Sequence, residues 1–299
     1  MRHHVMRLLA ALVVSTAAHA AEPVELAEFI RLTKPAPTEI LHYGNGASQA
    51  IDLFLPEGDG PHPVAILLHG GCWRDLPDAG REQLRHMGKA LAELGIAAWS
   101  IGYRRADEAG GGYPGTFQDV AAALDRLPRE AARLRLDPSR SVAVGHSAGG
   151  HLALWAAVRD RLPPGSSIRG AAPFVPRSTI SLAGIGDLRR FARFIPVHCG
   201  PGILDRLVPA SASADLYAEI SPAEMPAPAG RVVLVSGVLD RLVPPYVAHD
   251  YQRAVGPRGT APIERVEIPD AGHFDFVTPG TRAWADLISR ITASLTAPR

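Results

Sequence analysis

Ser141-Val142-Ala143-Val144-Gly145-His146-Ser147-Ala148-Gly149-Gly150-His151-Leu152-Ala153-Leu154-Trp155 is the stretch from which the rest of the chain is read. Val142 to Val144 is an apolar run and reads as a short buried strand. Ala148 to Val158 is rich in Ala and Leu and reads as a helix. Between them lies Gly145-His146-Ser147-Ala148-Gly149, a G-x-S-x-G match. A strand that turns this sharply into a helix strains the residue at the tip and exposes its side chain. Glycines two before and two after let strand and helix pass without Cβ clashes. Ser147 is therefore a candidate nucleophile at a helix N-terminus, where backbone N–H groups stabilise negative charge. A Gly/Ser turn also arises by chance. The reading depends on whether the chain supplies a base, a carboxylate and further backbone donors.

A serine hydroxyl attacks only when a base takes its proton. Among the histidines, His273 lies in Asp270-Ala271-Gly272-His273-Phe274-Asp275, between the last strand and the last helix. His69 and His146 adjoin motif turns and read as shapers of backbone, His151 lies inside the helix, and His198 and His249 read as surface or cap residues. The base needs a carboxylate to fix its tautomer. Asp240 follows the apolar run Arg231 to Ser236, at the strand end where catalytic groups gather in open α/β sheets. Asp270 and Asp275 are nearer in sequence, but short loops rarely fold a carboxylate back onto the adjacent ring. The order Ser147, Asp240, His273 follows. Val64 to Leu68 is another apolar run, and His69-Gly70-Gly71-Cys72-Trp73 follows it. Glycines there let backbone N–H groups face a substrate oxygen. Gly71, Cys72 and Ala148 are assigned as donors with Gly70 as a further candidate, and losing one such donor costs roughly 3–4 kcal/mol. Trp73 reads equally well as core anchor or pocket wall.

Further out, Glu39 to Tyr43 and Ala50 to Leu55 flank Gly44-Asn45-Gly46 and read as paired strands. Arg81 to Leu94 has helical apolar spacing and is closed by Gly95. Ile96 to Ile101 reads as a buried strand, Tyr103 to Pro114 as a glycine-rich loop, Phe117 to Leu127 as a helix and Leu134 to Pro138 as a connector. Pro163 to Arg177 reads as loop, with Thr179 to Ala183 as the next strand. Gly184 to Tyr217 stands apart from the sheet, with helices near Leu188 to Phe194 and Ile203 to Leu207. Arg231 to Ser236 and Ile263 to Ile268 read as strands, and Pro245 to Val255 and Thr281 to Leu295 as helices. Strands alternating with helices predict an α/β fold with a mostly parallel sheet covered on both faces.

The chain has 299 residues, with 31 Lys+Arg against 30 Asp+Glu and a net charge of +1. No basic run points to nucleic acid or an anionic membrane. Arg2 and Arg7 precede the apolar run Leu8 to Val14, and Ala18-His19-Ala20 is an A-x-A site. That pattern reads as a secretory signal peptide over residues 1–20. The apolar run is far shorter than the roughly 20 residues of a membrane span, and no later stretch is long enough. Residues 21–299 then form one domain with a cap insertion at about 184–217, exported to the periplasm or beyond. No Cys/His cluster has zinc-ligand spacing, so neither metal nor cofactor is expected.

With these residues assembled, the chain resembles the α/β-hydrolases of the esterase/lipase group. That group includes arylformamidases (kynurenine formamidases) and bifunctional feruloyl/acetyl-xylan esterases. The resemblance rests on His69-Gly-Gly-Cys-Trp73, Tyr103-Arg104-Arg105, Gly110-Gly-Gly-Tyr-Pro-Gly-Thr-Phe-Gln-Asp119, Gly145-His-Ser-Ala-Gly-Gly-His-Leu152, Asp240-Arg-Leu-Val-Pro244 and Gly272-His273, and covers about residues 39 to 296. It departs from the group at Cys72 and in the irregular Pro163 to Arg177. It implies the α/β-hydrolase fold, a small-molecule ester substrate, and Trp73 and Tyr103 as pocket candidates. Arylformamidase activity is the alternative, weighed down by the signal peptide. A prolyl-oligopeptidase-like peptidase is a further one, although the chain has no room for a propeller. In this fold the segment holding Cys199 commonly passes over the active site. An exported chain with Cys72 in the oxyanion loop and Cys199 in such a segment is expected to pair them.

Overall fold

Short apolar runs separated by amphipathic stretches become the strands and covering helices of one eight-stranded sheet. The computed structural model describes residues 22–77, 79–210 and 215–296. The stretch read as a signal peptide lies outside them. In chain order, α1 (Leu26–Phe29) precedes β1 (Glu39–His42), β2 (Ala50–Phe54) and β3 (His62–Leu68). Then come α2 (Arg85–Glu93), β4 (Ala97–Ile101), α3 (Gly115–Leu134), β5 (Leu136–His146) and α4 (Ala148–Ala156). β6 (Ser178–Leu182) leads into three short helices, α5 (Ile195–Cys199), α6 (Ile203–Leu207) and α7 (Tyr217–Ile220). β7 (Arg231–Gly237), α8 (Tyr246–Val255), β8 (Ile263–Ile268) and α9 (Arg282–Thr296) complete the chain.

The strand order is β1-β2-β4-β3-β5-β6-β7-β8. β1 and β2 pair antiparallel, as do β2 and β4, and every other pair is parallel. Every residue of β2, β4 and β6 is buried. Successive strand side chains point to opposite faces, so both faces of the sheet are covered. β1 and β8 are partly exposed along their length, as edge strands are. From β3 the chain goes first to β4 on one side and later to β5 on the other. That reversal opens a crevice at the carboxyl ends of β3 and β5. The register aligns Leu68 with Gly145 and Gly145 with Ser181. The loops after β3, β5 and β6 therefore leave the sheet at one level.

Several elements differ from the sequence reading. The helix expected over Phe117 to Leu127 runs on to Leu134 with Pro128 inside it. A proline breaks a helix by losing an N–H and crowding the carbonyl four residues back. Here the turn beyond it is held by Glu130, which pairs with both Arg126 and Arg133, and by burial of Leu134. The connector expected at Leu134 to Pro138 is the start of β5, which opens at Leu136. The first turn of the helix expected from Arg81 is a 3₁₀ turn, Arg81–Leu84. The helix expected near Leu188 to Phe194 is a run of turns. Its helical turn starts later, at Ile195, where Pro196 supplies the preset φ of a first turn. Pro163 to Arg177 is loop, organised by the buried Arg159. That guanidinium pairs with Asp125 and donates to the carbonyls of Arg169 and Phe174.

Candidate active site

Ser147 joins β5 to α4 with φ 55° and ψ −117°. A non-glycine residue at positive φ costs of order 1–3 kcal/mol, and the close packing around the turn holds it there. A Cβ on Gly145 would stand 2.0 Å from the Gly149 carbonyl oxygen, and one on Gly149 only 2.1 Å from that of Leu68. The Ser147 N–H donates to the Leu182 carbonyl at 2.8 Å, tying the turn to β6. All nine residues of α4 are buried.

His273 follows β8 and Asp240 follows β7. His273 Nδ1 and Asp240 Oδ2 lie 2.7 Å apart, with the Asp240 side chain fully buried. The other carboxylate oxygen, Oδ1, accepts the N–H groups of Leu242 and Val243, each at 2.8 Å. Both oxygens are thus partnered, as a buried carboxylate requires. The proton on this pair belongs to Nδ1, which leaves the lone pair on Nε2. Asp275 points elsewhere: its Oδ2 accepts the N–H groups of Gly272 and Val24. Asp270 is exposed and faces Arg282 at 3.8 Å.

The loop after β3 carries three consecutive residues at positive φ: Gly71 (99°), Cys72 (55°) and Trp73 (53°). Gly70 packs behind Ser147; a Cβ there would meet His146 Nδ1 at 3.0 Å and Ser147 Cβ at 3.3 Å. His69 Nδ1–H donates to the Gly70 carbonyl at 2.8 Å, and burial pushes its pKa down to about 3. Tyr103 stacks on the His69 ring, 4.2 Å between centroids, and donates its hydroxyl to the His69 carbonyl at 2.8 Å. Cys72 is joined to Cys199 of α5 by a disulfide, with Cα atoms 5.2 Å apart. That bond ties the loop to the cap segment. Among the described residues no group accepts the Cys72 N–H. The Ala148 N–H opens α4 and belongs to the first turn, whose donors lack intrahelical acceptors.

Ser147, His273, Cys72 and Ala148 line one cavity of about 50 Å³. Trp73, Ile185 and Ile195 are buried in its wall, whereas Leu242 and His198 are exposed at its mouth. It therefore has a closed apolar end beside the Ser147 turn and an open end toward solvent.

The family described as BD-FAE matches residues 51–170. A probable isoprenylcysteine alpha-carbonyl methylesterase of Arabidopsis thaliana is 30% identical over 112 residues, 37% of this chain and 22% of that protein. The probable carboxylic ester hydrolase LipM of Mycobacterium tuberculosis is 28% identical over 197 residues, 61% of this chain and 43% of LipM. A non-reducing polyketide synthase of Emericella nidulans, pkbA, is 33% identical over 139 residues, 42% of this chain and 5% of the synthase. The chain thus spans less than half the length of each of these relatives. Among solved structures, a truncated carbohydrate esterase from gut microbiota superimposes with a TM-score of 0.70 at 19% identity, covering 89% of this chain and 99% of that one. Apo esterase 2 of Thermogutta terrifontis gives 0.69 at 20%, covering 90% and 98%. The chain has the α/β-hydrolase fold.

Within this fold the structure brings together Ser147, Asp240, His273, Cys72, Ala148 and Trp73. Trp73 is both core and wall: it is buried, lines the cavity and meets the His151 ring edge-on at 5.4 Å. Gly70 and Gly71 shape the loop but do not line the cavity. Tyr103, a pocket candidate from sequence, does not line it either, because its ring and hydroxyl are both engaged by His69. His198, a surface or cap candidate from sequence, stands at the mouth with its ring centroid 4.2 Å from that of Phe194. Ile185, Phe194, Ile195, Leu242 and Val243 also line the cavity and were not singled out in the sequence. Leu242 and Val243 carried a usable signal, since they follow the candidate carboxylate directly. Ile185 and Phe194 reach the site only through the course of the segment after β6.

Proposed function

We propose that the protein is an exported serine hydrolase that cleaves carboxylic esters through an acyl-enzyme. The observation that carries this reading is a single one. Ser147, at the strained tip of the β5–α4 turn, shares a cavity with His273, whose Nδ1 is held 2.7 Å from a buried carboxylate. His273 Nε2 takes the Ser147 proton as Oγ attacks the ester carbonyl. The carbonyl oxygen becomes an oxyanion facing the N–H groups of Ala148 and Cys72. Imidazolium, stabilised by Asp240, returns the proton to the leaving alcohol. Water then enters and attacks the acyl-serine as its proton passes to His273, which returns that proton to Ser147 Oγ when the acid is released. The resemblance to LipM, a probable carboxylic ester hydrolase, and to the Arabidopsis methylesterase supports an ester as substrate.

The cavity bears on acyl size. About 50 Å³ is a third of the roughly 150 Å³ in which a dry apolar cavity holds benzene. A cavity of that size favours a short aliphatic acyl group over an aromatic one. The alcohol lies toward the open end, from which it must depart. Export rests on Arg2, Arg7, the apolar Leu8 to Val14 and Ala18-His19-Ala20. The Cys72–Cys199 disulfide supports it, since such bonds persist in oxidising compartments.

The test is a turnover panel on purified protein: p-nitrophenyl acetate to octanoate, a feruloyl ester, acetylated xylan, N-formylkynurenine and a Gly-Pro anilide. The acetyl ester should give the highest kcat/KM, and Ser147→Ala should abolish both turnover and fluorophosphonate labelling. Preference for N-formylkynurenine would transfer the reading to a formamidase.

A further inference from the structure

His273 sits in a loop, where no ladder of strand hydrogen bonds fixes its backbone. Three anchors converge on Gly272–Phe274 instead. First, His146 Nε2–H donates to the His273 carbonyl at 2.9 Å, and the two rings lie 4.7 Å apart. His146 immediately precedes Ser147, so one side chain links the nucleophile's turn to the base's loop. Burial and the neighbouring His273 push the His146 pKa down to about 3, so the ring stays neutral with its one N–H committed to that carbonyl. Second, Asp275 Oδ2 accepts the Gly272 N–H at 2.9 Å and the Val24 N–H at 3.1 Å. Third, Phe29 of α1 stacks on Phe274 at 5.4 Å with ring planes 19° apart, and meets His146 edge-on at 6.4 Å. Phe274 in turn stands edge-on to His273 at 5.0 Å.

Two of these anchors involve the N-terminal segment, which lies outside the sheet. Phe29 is 3% exposed, although α1 spans only four residues. Pro23 closes on Gly272, where an added Cβ would come within 2.6 Å of the Pro23 Cβ. Covering apolar surface accounts for burying Phe29. It does not account for a backbone N–H of that segment sharing a carboxylate oxygen with the base's own loop, nor for His146 spending its donor on the base's carbonyl. We infer that Pro23–Phe29, with His146 and Asp275, forms a clamp that sets the position of the His273 ring, making Phe29, His146 and Asp275 positioning residues for the reaction. The inference rests on the reading of His273 as the base. A base displaced by about 1 Å costs up to roughly 10²-fold in rate, and loops are free to shift that far unless held.

The experiment measures kcat and KM with p-nitrophenyl acetate for His146→Leu, His146→Gln and Phe29→Leu, each normalised by active-site titration and checked for an intact near-UV spectrum. Ser147→Ala and His273→Ala run beside them. His146→Leu removes the donor and keeps an apolar side chain, whereas His146→Gln restores an N–H at the same reach. Phe29→Leu keeps apolar cover and loses the ring stack, so it guards against a clamp variant that fails to fold. The expected result for His146→Leu is a kcat loss approaching roughly 10²-fold, with KM within twofold and most of the rate recovered in His146→Gln. A several-fold kcat loss at unchanged KM is expected for Phe29→Leu. If kcat per titrated site is unchanged in His146→Leu and Phe29→Leu while His273→Ala is inactive, the clamp is wrong and the base assignment stands. If His273→Ala keeps its turnover, the assignment and the clamp fall together.

Discussion

Reducing the Cys72–Cys199 bond should lower both stability and kcat, by amounts that can be worked out separately. The two cysteines are 127 residues apart in sequence. Closing a loop of that length removes chain entropy from the unfolded state worth about 5 kcal/mol, an upper figure. In a chain of this size each kcal/mol moves Tm by about 2 °C, so full reduction should lower Tm by up to about 10 °C. The kinetic effect has another origin. Cys72 stands at φ 55°, a conformation that a non-glycine residue keeps only when its surroundings impose it. Released from α5, the loop can relax toward negative φ and turn the Cys72 N–H away from the cavity. Loss of one oxyanion donor costs roughly 10²- to 10³-fold in kcat. Thermal unfolding and steady-state kinetics before and after phosphine treatment test both effects, with a mass shift on alkylation of a parallel sample to prove reduction. Cys199→Ser, which leaves the oxyanion loop sequence intact, is the genetic counterpart. A lowered Tm with unchanged kcat would refute the role of the bond in holding the donor. Proven reduction with neither change would refute the structural role as well.

Asp240→Asn should favour the wrong imidazole tautomer and reduce kcat by up to roughly 10⁴-fold, whereas Asp270→Asn and Asp275→Asn should be much milder; equal losses at either would move the carboxylate assignment there. Gly149→Ala places a methyl 2.1 Å from the Leu68 carbonyl oxygen and 2.5 Å from that of His69, so it should yield little folded protein, and a soluble, fully active variant would contradict the packing of the turn. Burial lowers the pKa of His69 and His146 to about 3 and of His151 to about 4, against 6.5 for a free ring. The folded state therefore binds fewer protons than the unfolded one between those values, so unfolding free energy should fall as pH drops below about 6.5 and level off above it. Urea titrations at stepped pH measure the slope, and a stability independent of pH from 7 down to 5 would rule out neutral buried rings.

Much of the sheet was legible because its central strands are buried on both faces and so appear as unbroken apolar runs. Val64 to Leu68 and Val142 to Val144 are found where the pattern puts them. Ser147, Asp240 and His273 were legible for a related reason. Each stands in the connection that follows a parallel strand, and parallel strands deliver their carboxyl ends to one edge. Pro128 misled because a helix-breaking propensity of one residue was outweighed by packing and ion pairs on the turn beyond it. The segment after β6 was harder still. Its short helices are fixed by contacts with α4, the disulfide and the cavity wall, none of which leaves a period in the sequence. The packing of Phe29 on Phe274 joins residues 245 positions apart, and nothing local in Leu26–Phe29 marks its partner.

The places of β5, β7 and β8 in the sheet order bear on how activity is lost under stress. Ser147 stands on a central strand and opens a fully buried helix, so its amides should open only with global unfolding and be among the slowest to exchange with deuterium. His273 depends on β8, an edge strand partly exposed along its length. A sub-global opening that frays this edge separates His273 from Ser147 while the centre remains folded. Warming or mild denaturant should then silence turnover before the bulk far-UV signal changes. The silenced molecules should regain activity on cooling, because the edge needs only to re-dock on a template that never unfolded.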